Sequence, residues 1–165
     1  STICQQKKNY ANIKDVPALG ADGWDGVLSA LDENNKSAVE GVVFTNHFTA
    51  TDPDAKVQDF VTRYREAYGS DPSSFAALGY DAGMMLFQAI EAAGTTDSAA
   101  VNEALANLQY EGVTGAIHYE GSGDPVKDVK FVTVKDGAYA LVENGAEEAP
   151  AEEPVSEEAS EEAAA

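Results

Sequence analysis

Apolar residues in the middle of the chain recur at helical spacing. One stripe at i, i+3, i+4, i+7 and i+11 contains Val57, Phe60, Val61, Tyr64 and Tyr68. Asp52-Pro53 precedes the stripe, and Asp suits an N-cap while Pro suits the first helical position. Gly69 follows as a C-terminal cap. The pattern therefore predicts a helix that starts at Asp52-Pro53 and ends before Gly69.

Two more helices are predicted after Gly69. The second runs from about Ser74 to Ala93, and Gly94 ends it. Its inward positions are expected to be Leu78, Ala82, Met85, Leu86, Ala89 and Ile90. The third begins near Asp97-Ser98. Its apolar positions are Val101, Leu105 and Leu108.

Strands are predicted on both sides of the helices. On the N-terminal side, the apolar runs 16–20 and 39–44 read as buried strands. A short helix is expected between them, through Val27, Leu28 and Leu31. After Gly112 the apolar period changes from 3.6 to 2, which predicts strands over 116–119, 129–134 and 138–142, with a hairpin turn at Asp136-Gly137. This order of elements indicates an α/β chain.

Charge narrows the range of partners. The net charge is −19, and residues 146–165 hold eight glutamates without Lys or Arg. We expect this acidic tail to be disordered, because it offers little apolar surface to bury. Nucleic acid and anionic lipid are not expected as partners, since binding either needs clustered basic residues.

Catalytic and metal-binding patterns are not found in the sequence. Cys4, His47 and His118 do not have the spacing of metal ligands, and we recognise no nucleophile–base pair or phosphate-binding loop. We therefore expect a protein that is not an enzyme and has no cofactor. No apolar run approaches the roughly 18 residues that span a bilayer. Residues 1–8 lack a signal-peptide pattern, so if the protein is exported its targeting segment would lie upstream of them.

Five segments, in order, resemble one family. They are VPALGADGW (16–24), GVVFTNHF (41–48), FVTRYREAYGSDP (60–72), AALGYDA (76–82) and GVTGAI (112–117) followed by GSGDPV (121–126). Together they are similar to the type I periplasmic, or extracytoplasmic, solute-binding proteins of the branched-chain amino acid (leucine-isoleucine-valine-binding) group.

The resemblance implies an α/β fold of the periplasmic-binding-protein-like I class, present in part. Residues 1–48 would be the end of the second lobe, with 1–15 atypical because they lack the family's regular amphipathic helix. Residues 49–115 would supply the C-terminal helices of the first lobe, and 116–144 the closing strands and hairpin. The disordered acidic tail would be 145–165. The amino-terminal half of the first lobe would lie outside this chain.

The function implied is capture of a small amino acid or amide and delivery to the permease subunits of an ABC transporter. Affinity would come from closure of two lobes around the ligand. The protein would then be periplasmic or extracellular. The resemblance also allows a lipid anchor on an upstream segment. A ligand-sensing domain of a receptor or regulator with the same fold is the alternative. A surface protein that displays a degraded binding lobe is a third.

Four residues are candidate ligand contacts. In the family's pattern, Asp22 occupies the acidic position that receives the ligand ammonium. Spacing alone also allows Asp22 or Asp25 to cap the short helix that follows. Trp24 would wall the pocket or pack in the core. Phe75 and Tyr80 would contact the ligand side chain or pack within their helix.

Overall fold

The computed structural model describes residues 2–142, so the acidic tail predicted over 145–165 lies outside the described residues. The elements in chain order are α1 (Thr2–Lys7), β1 (Leu19–Gly20), β2 (Val43–Asn46), α2 (Ala55–Tyr68), α3 (Ser74–Ala93), α4 (Ser98–Ala106), β3 (Tyr110–Gly112), β4 (Gly115–Tyr119), β5 (Pro125–Lys127), β6 (Lys130–Lys135) and β7 (Ala138–Leu141). Short 3-10 helices lie at Asp22–Trp24 and Lys36–Ala38. The chain is α/β, as the order of its patterns predicts.

One sheet has four strands in the order β1-β2-β6-β7. β1 is parallel to β2, while β2, β6 and β7 pair antiparallel. The core on this sheet contains Cys4, Val27, Leu31, Val39, Val42, Phe44, Val132 and Val134. The closing hairpin thus joins the sheet built by the first fifty residues, and the described part of the segment 116–144, residues 116–142, is divided between two sheets.

A second, antiparallel sheet has three strands in the order β3-β4-β5 and packs against α3. Met85 of α3 packs with Tyr110 of β3 and Ile117 of β4. A separate core joins α2 and α3 through Phe48, Val57, Phe60, Val61, Ala77 and Val113. Leu105 of α4 packs against the Met85 cluster, so α3 and α4 lie on the three-stranded sheet while α2 packs on α3 and on Val113 in the β3–β4 turn.

The caps of α2 correct one prediction and confirm another. The N-cap is Asp54, whose carboxylate accepts from Lys56 N at 2.8 Å and Val57 N at 3.3 Å. The predicted start at Asp52-Pro53 is wrong, because the Asp52 carboxylate accepts from Asp54 N and pairs with Lys130 on β6. Gly69 does end the helix, with φ 70°. The bounds of α3 and the Asp97 cap of α4 are confirmed.

The inward face of α3 differs from the prediction. The buried side chains of the helix are Ser74, Ala77, Asp81, Met85 and Ala89. Ala82 and Leu86 are exposed, although both were expected to face inward. The reason is Asp81, which is 1% exposed and hydrogen-bonded inside the protein, so the helix is rotated to bury a carboxylate.

Residues before β2 are less regular than predicted. The short helix expected through Val27 and Leu31 is a series of turns, since Gly26 has φ 80° and interrupts helical geometry. The strand predicted over 39–44 begins only at Val43, because Gly41 has φ 73° and a 3-10 helix precedes it. Residues 1–14, expected to lack a helix, include the six-residue α1.

The turn between β6 and β7 confirms the hairpin prediction. Asp136 has φ 53° and Gly137 has φ 74°, as a two-residue turn with two left-handed positions requires. The Glu40 carboxylate accepts from Asp136 N at 2.6 Å and Gly137 N at 3.2 Å. This contact ties the hairpin to the residues before β2.

Gly137→Ala in the full-length protein is expected to lower the free energy of unfolding by about 1–2 kcal/mol, because an L side chain is strained in the left-handed region. Gly79→Ala is the matched control. Gly79 lies inside α3, where an added Cβ meets nothing within 4 Å, so that change should be neutral or stabilising by up to about 1 kcal/mol. Urea unfolding measures both; equal losses would contradict this interpretation.

Candidate ligand-binding site

Asp22 lies just beyond the carboxyl end of β1. Gly20 pairs with Phe44 in the parallel β1–β2 ladder, so Asp22 and His47 follow two strands that point in the same direction. Open α/β sheets bind ligands at this edge. The Asp22 side chain is 53% exposed and available to a solute.

The loop that carries Asp22 (residues 21–26, here the Asp22 loop) is held in place by Asp25. Oδ2 of Asp25 accepts from the Ser74 backbone N at 3.0 Å and from Ser74 Oγ at 2.9 Å. Oδ1 accepts from Asn46 Nδ2 at 3.3 Å. A carboxylate is favourable at the first turn of a helix, where N–H groups lack partners. Asp25 therefore joins the Asp22 loop to α3 and to the end of β2, rather than capping a helix that follows it.

His47 is the ionisable group beside Asp22. Its Nε2 lies 3.8 Å from Asp22 Oδ2. Burial lowers the pKa of His47, the Lys127 charge lowers it further, and Asp22 acts in the opposite direction. The neutral imidazole therefore predominates at pH 7, because burial holds the pKa of His47 below the ordinary 6.5. Asp22 faces a neutral neighbour.

Trp24 packs against the four-stranded sheet. Its ring lies 6.5 Å from the Phe44 ring, and it is partly buried on the core of that sheet. A Cβ at Gly20 would come within 2.7 Å of the indole nitrogen, so the missing side chain makes room for the ring. The packing supports a core role for Trp24 at the edge of the Asp22 loop.

Phe75 and Tyr80 lie on different parts of α3. Phe75 follows Ser74, the partner of Asp25, and its side chain is 62% exposed. Tyr80 contacts α2 instead: its ring is 4.9 Å from Phe60, and Arg63 Nη2 donates to its hydroxyl at 3.5 Å. The structure brings Phe75 close to the anchored loop and places Tyr80 in the α2–α3 packing.

The sequence pattern does not predict the buried polar cluster around Asp81. Its carboxylate accepts from Tyr110 Oη at 3.0 Å, Val113 N at 2.9 Å, and Thr114 N and Oγ1 at 2.8 and 2.7 Å. Burial and the Asp81 charge raise the pKa of Tyr110 well above its usual range. Lys127 Nζ donates to Thr114 Oγ1 at 2.9 Å, which joins β5 to this cluster. The only sequence signal was an acidic residue inside an apolar helix stripe.

Comparison with known proteins identifies the fold. The family model described as "Periplasmic binding protein" matches residues 6–138. The chain belongs to this family. Its α/β architecture is accordingly part of a type I periplasmic-binding-protein fold. No curated protein matches the chain significantly.

Solved structures of this periplasmic binding protein family resemble the chain over most of its length. A leucine-binding protein, LivK, from Thermotoga maritima is 31% identical with a TM-score of 0.68, covering 86% of this chain and 41% of its own. An ABC transporter substrate-binding protein from Desulfitobacterium hafniense in complex with Leu is 30% identical, with a TM-score of 0.71 and coverages of 86% and 39%. A substrate-binding protein from R. palustris in complex with benzoate is 25% identical, with a TM-score of 0.67 and coverages of 84% and 39%. The chain thus spans about 40% of the length of these relatives.

Membrane-spanning helices and groups of metal ligands are absent from residues 2–142. No helix in this range has the length and apolar character needed to cross a membrane. Within the same range, no three His, Cys, Asp or Glu side chains are grouped so as to hold a metal ion. The candidate site consists of the Asp22 loop, the end of β2 and the start of α3.

Proposed function

We propose that the protein is the substrate-binding component of an ABC transporter and captures a small amino acid through the carboxylate of Asp22. The chain would supply one side of a cleft between two lobes, and the remainder of the protein would supply the other side. Closure of the lobes would exclude water from the ligand, which strengthens charge-assisted hydrogen bonds.

The observation that carries the proposal is an accessible carboxylate on a fixed loop. Asp22 is about half exposed, yet Asp25 attaches its loop to Ser74 and Asn46. A ligand cation at this position would meet a carboxylate that does not have to be reorganised on binding. This arrangement supports the role that the family pattern gives to Asp22.

The charge of the site favours an amino acid over an acid that lacks an amine. His47 is neutral at pH 7 because burial lowers its pKa, so it does not offset the negative charge of Asp22. A ligand ammonium would satisfy that charge, whereas a simple aromatic carboxylate would be repelled by it. The exposed Phe75 ring, next to Ser74, provides apolar surface for an aliphatic or aromatic side chain.

Permease subunits of the transporter are the proposed partners, and the location follows from them. A protein that delivers solute to an importer acts outside the cytoplasmic membrane, in the periplasm or at the cell surface. We propose no cofactor and no chemical step, because capture and release require only lobe closure and opening.

A ligand panel tests the proposal. The full-length protein is examined by thermal shift and calorimetry with L-leucine, L-isoleucine, L-valine, L-phenylalanine, acetamide and benzoate. At least one amino acid should raise the melting temperature, since a ligand at 100 times its Kd stabilises the folded state by about 2.7 kcal/mol. The same compound without its amino group should give no shift. Stabilisation by benzoate alone would contradict an amino acid ligand.

A further inference from the structure

The two ring nitrogens of His47 have different surroundings. Nε2 faces Asp22 Oδ2 at 3.8 Å, whereas Nδ1 is buried and meets no hydrogen-bond partner within residues 2–142. A neutral imidazole has one N–H donor and one bare nitrogen, and a buried donor without an acceptor is the costlier arrangement. The surroundings therefore favour a proton on Nε2, directed at Asp22, and a bare Nδ1 inside the protein.

Charges from two elements act on the pKa of this ring. Asp22 comes from the first 3-10 helix and Lys127 from β5. Burial is the main reason that the pKa of His47 is lowered; Lys127 adds to the effect and Asp22 opposes it. The cationic ring would also place a second N–H, on Nδ1, where the described residues supply no acceptor.

Two charged groups beside Asn46, the residue before His47, have partners of their own. Lys130, which lies opposite Asn46 in the β2–β6 ladder, pairs with the buried carboxylate of Asp52. Asp25 is bound by Ser74 and Asn46. Asp22 and His47 therefore form a separate pair, with Nε2 and Oδ2 3.8 Å apart.

We propose that a proton on His47 weakens the binding of ligand ammonium groups at Asp22, an inference that rests on the function proposed above. When the ring is neutral, its Nε2–H faces the carboxylate without neutralising it. The negative charge of Asp22 then remains available to pair with the ligand ammonium. With the ring protonated, the imidazolium competes with the ligand ammonium for the same carboxylate. His47 is thus a positioning residue whose protonation weakens the binding of amino acids.

Calorimetry across a pH series tests this inference on the full-length protein, with L-leucine, L-isoleucine and L-valine each titrated from pH 8.0 to 5.0. Because the lowered pKa of His47 lies below 6.5, affinity should be constant near pH 7.5 and fall by about fivefold towards pH 5.0. In the His47→Gln variant, affinity should fall by less than about twofold over the same pH range. The matched control is His118→Gln on β4, whose imidazole faces Glu120 at 3.5 Å; it should retain the wild-type fall.

The outcomes of this titration are distinguishable. If the protein binds none of the three amino acids at any pH, both the proposed function and the inference are overturned. If it binds them, but wild type and His47→Gln share one pH profile, the inference alone is overturned.

A ligand-free measurement tests the same pairing independently. Nitrogen NMR of the full-length protein, with His47 assigned by the signal lost in His47→Gln, should show the proton on Nε2 at pH 8. Asp22→Asn should lower the pKa of the His47 imidazole further, because it removes the charge that raises that pKa. A proton on Nδ1, or an imidazole pKa that Asp22→Asn leaves unchanged, would overturn the inference even where amino acids bind.

Discussion

Asp22→Asn in the full-length protein is expected to weaken amino acid binding by at least about 100-fold, because the ligand ammonium loses the charge that it pairs with in a closed site. The substitution keeps the size of the side chain and its capacity to accept a hydrogen bond. It should therefore leave the melting temperature of the ligand-free protein nearly unchanged, since Asp22 is about half exposed. Calorimetry on the ligand selected by the panel measures the loss.

Asp15→Asn is the matched control for this change. The Asp15 side chain is 85% exposed and its ion pair, with Lys14 at 3.6 Å, is also exposed. The same chemical change at that position should alter affinity by less than twofold, as expected for an exposed ion pair. Equal affinities for Asp22→Asn and wild type would remove Asp22 from the site.

Asp81→Ala is expected to produce the largest loss of stability, about 3–5 kcal/mol. The carboxylate accepts four hydrogen bonds from Tyr110, Val113 and Thr114, all in the buried interior. Removing it leaves those donors without their acceptor and opens a small cavity against Gly112, where an added Cβ would collide with the Asp81 carboxylate. The turn between β3 and β4 should then detach from α3.

Urea unfolding of the full-length protein measures the Asp81→Ala effect. Glu91→Ala, on the exposed surface of the same helix, is the control and should change stability by less than about 0.5 kcal/mol. A loss at Asp81 no larger than the loss at Glu91 would show that the buried cluster does not hold β3 and β4 to α3.

The helices were predictable because their signals are local. The bounds of α3, the Asp97 cap of α4 and the glycine that ends α2 each follow from residues within one or two turns of the helix end. The Asp136-Gly137 turn is local in the same sense, since both residues favour positive φ. Such features need no knowledge of the rest of the fold.

The errors arise where distant partners decide the structure. β3 and β5, at three residues each, are strands only because β4 lies between them, and their short sequences have no clear period. The rotation of α3 depends on donors about thirty residues after Asp81. The sequence does not show what α3 packs against, so it gives no partner for a polar residue in an apolar stripe.

The residues of the candidate site could also be predicted only in part. The family pattern singled out Asp22 and Phe75, but spacing could not show that Asp25 reaches Ser74, 49 residues away. It also could not show that His47 faces Asp22, since the two are brought together by the parallel pairing of β1 and β2. Tyr80 shares a helix with Phe75, yet it packs on α2.

A crystal structure of the full-length protein with its amino acid ligand tests the central claim most directly. We expect the ligand ammonium nitrogen to lie at about 2.7–2.9 Å from an Asp22 carboxylate oxygen, the usual length of a charge-assisted hydrogen bond. The Phe75 ring should contact the ligand side chain. A ligand bound elsewhere, with the Asp22 carboxylate left in solvent in the closed protein, would contradict the account.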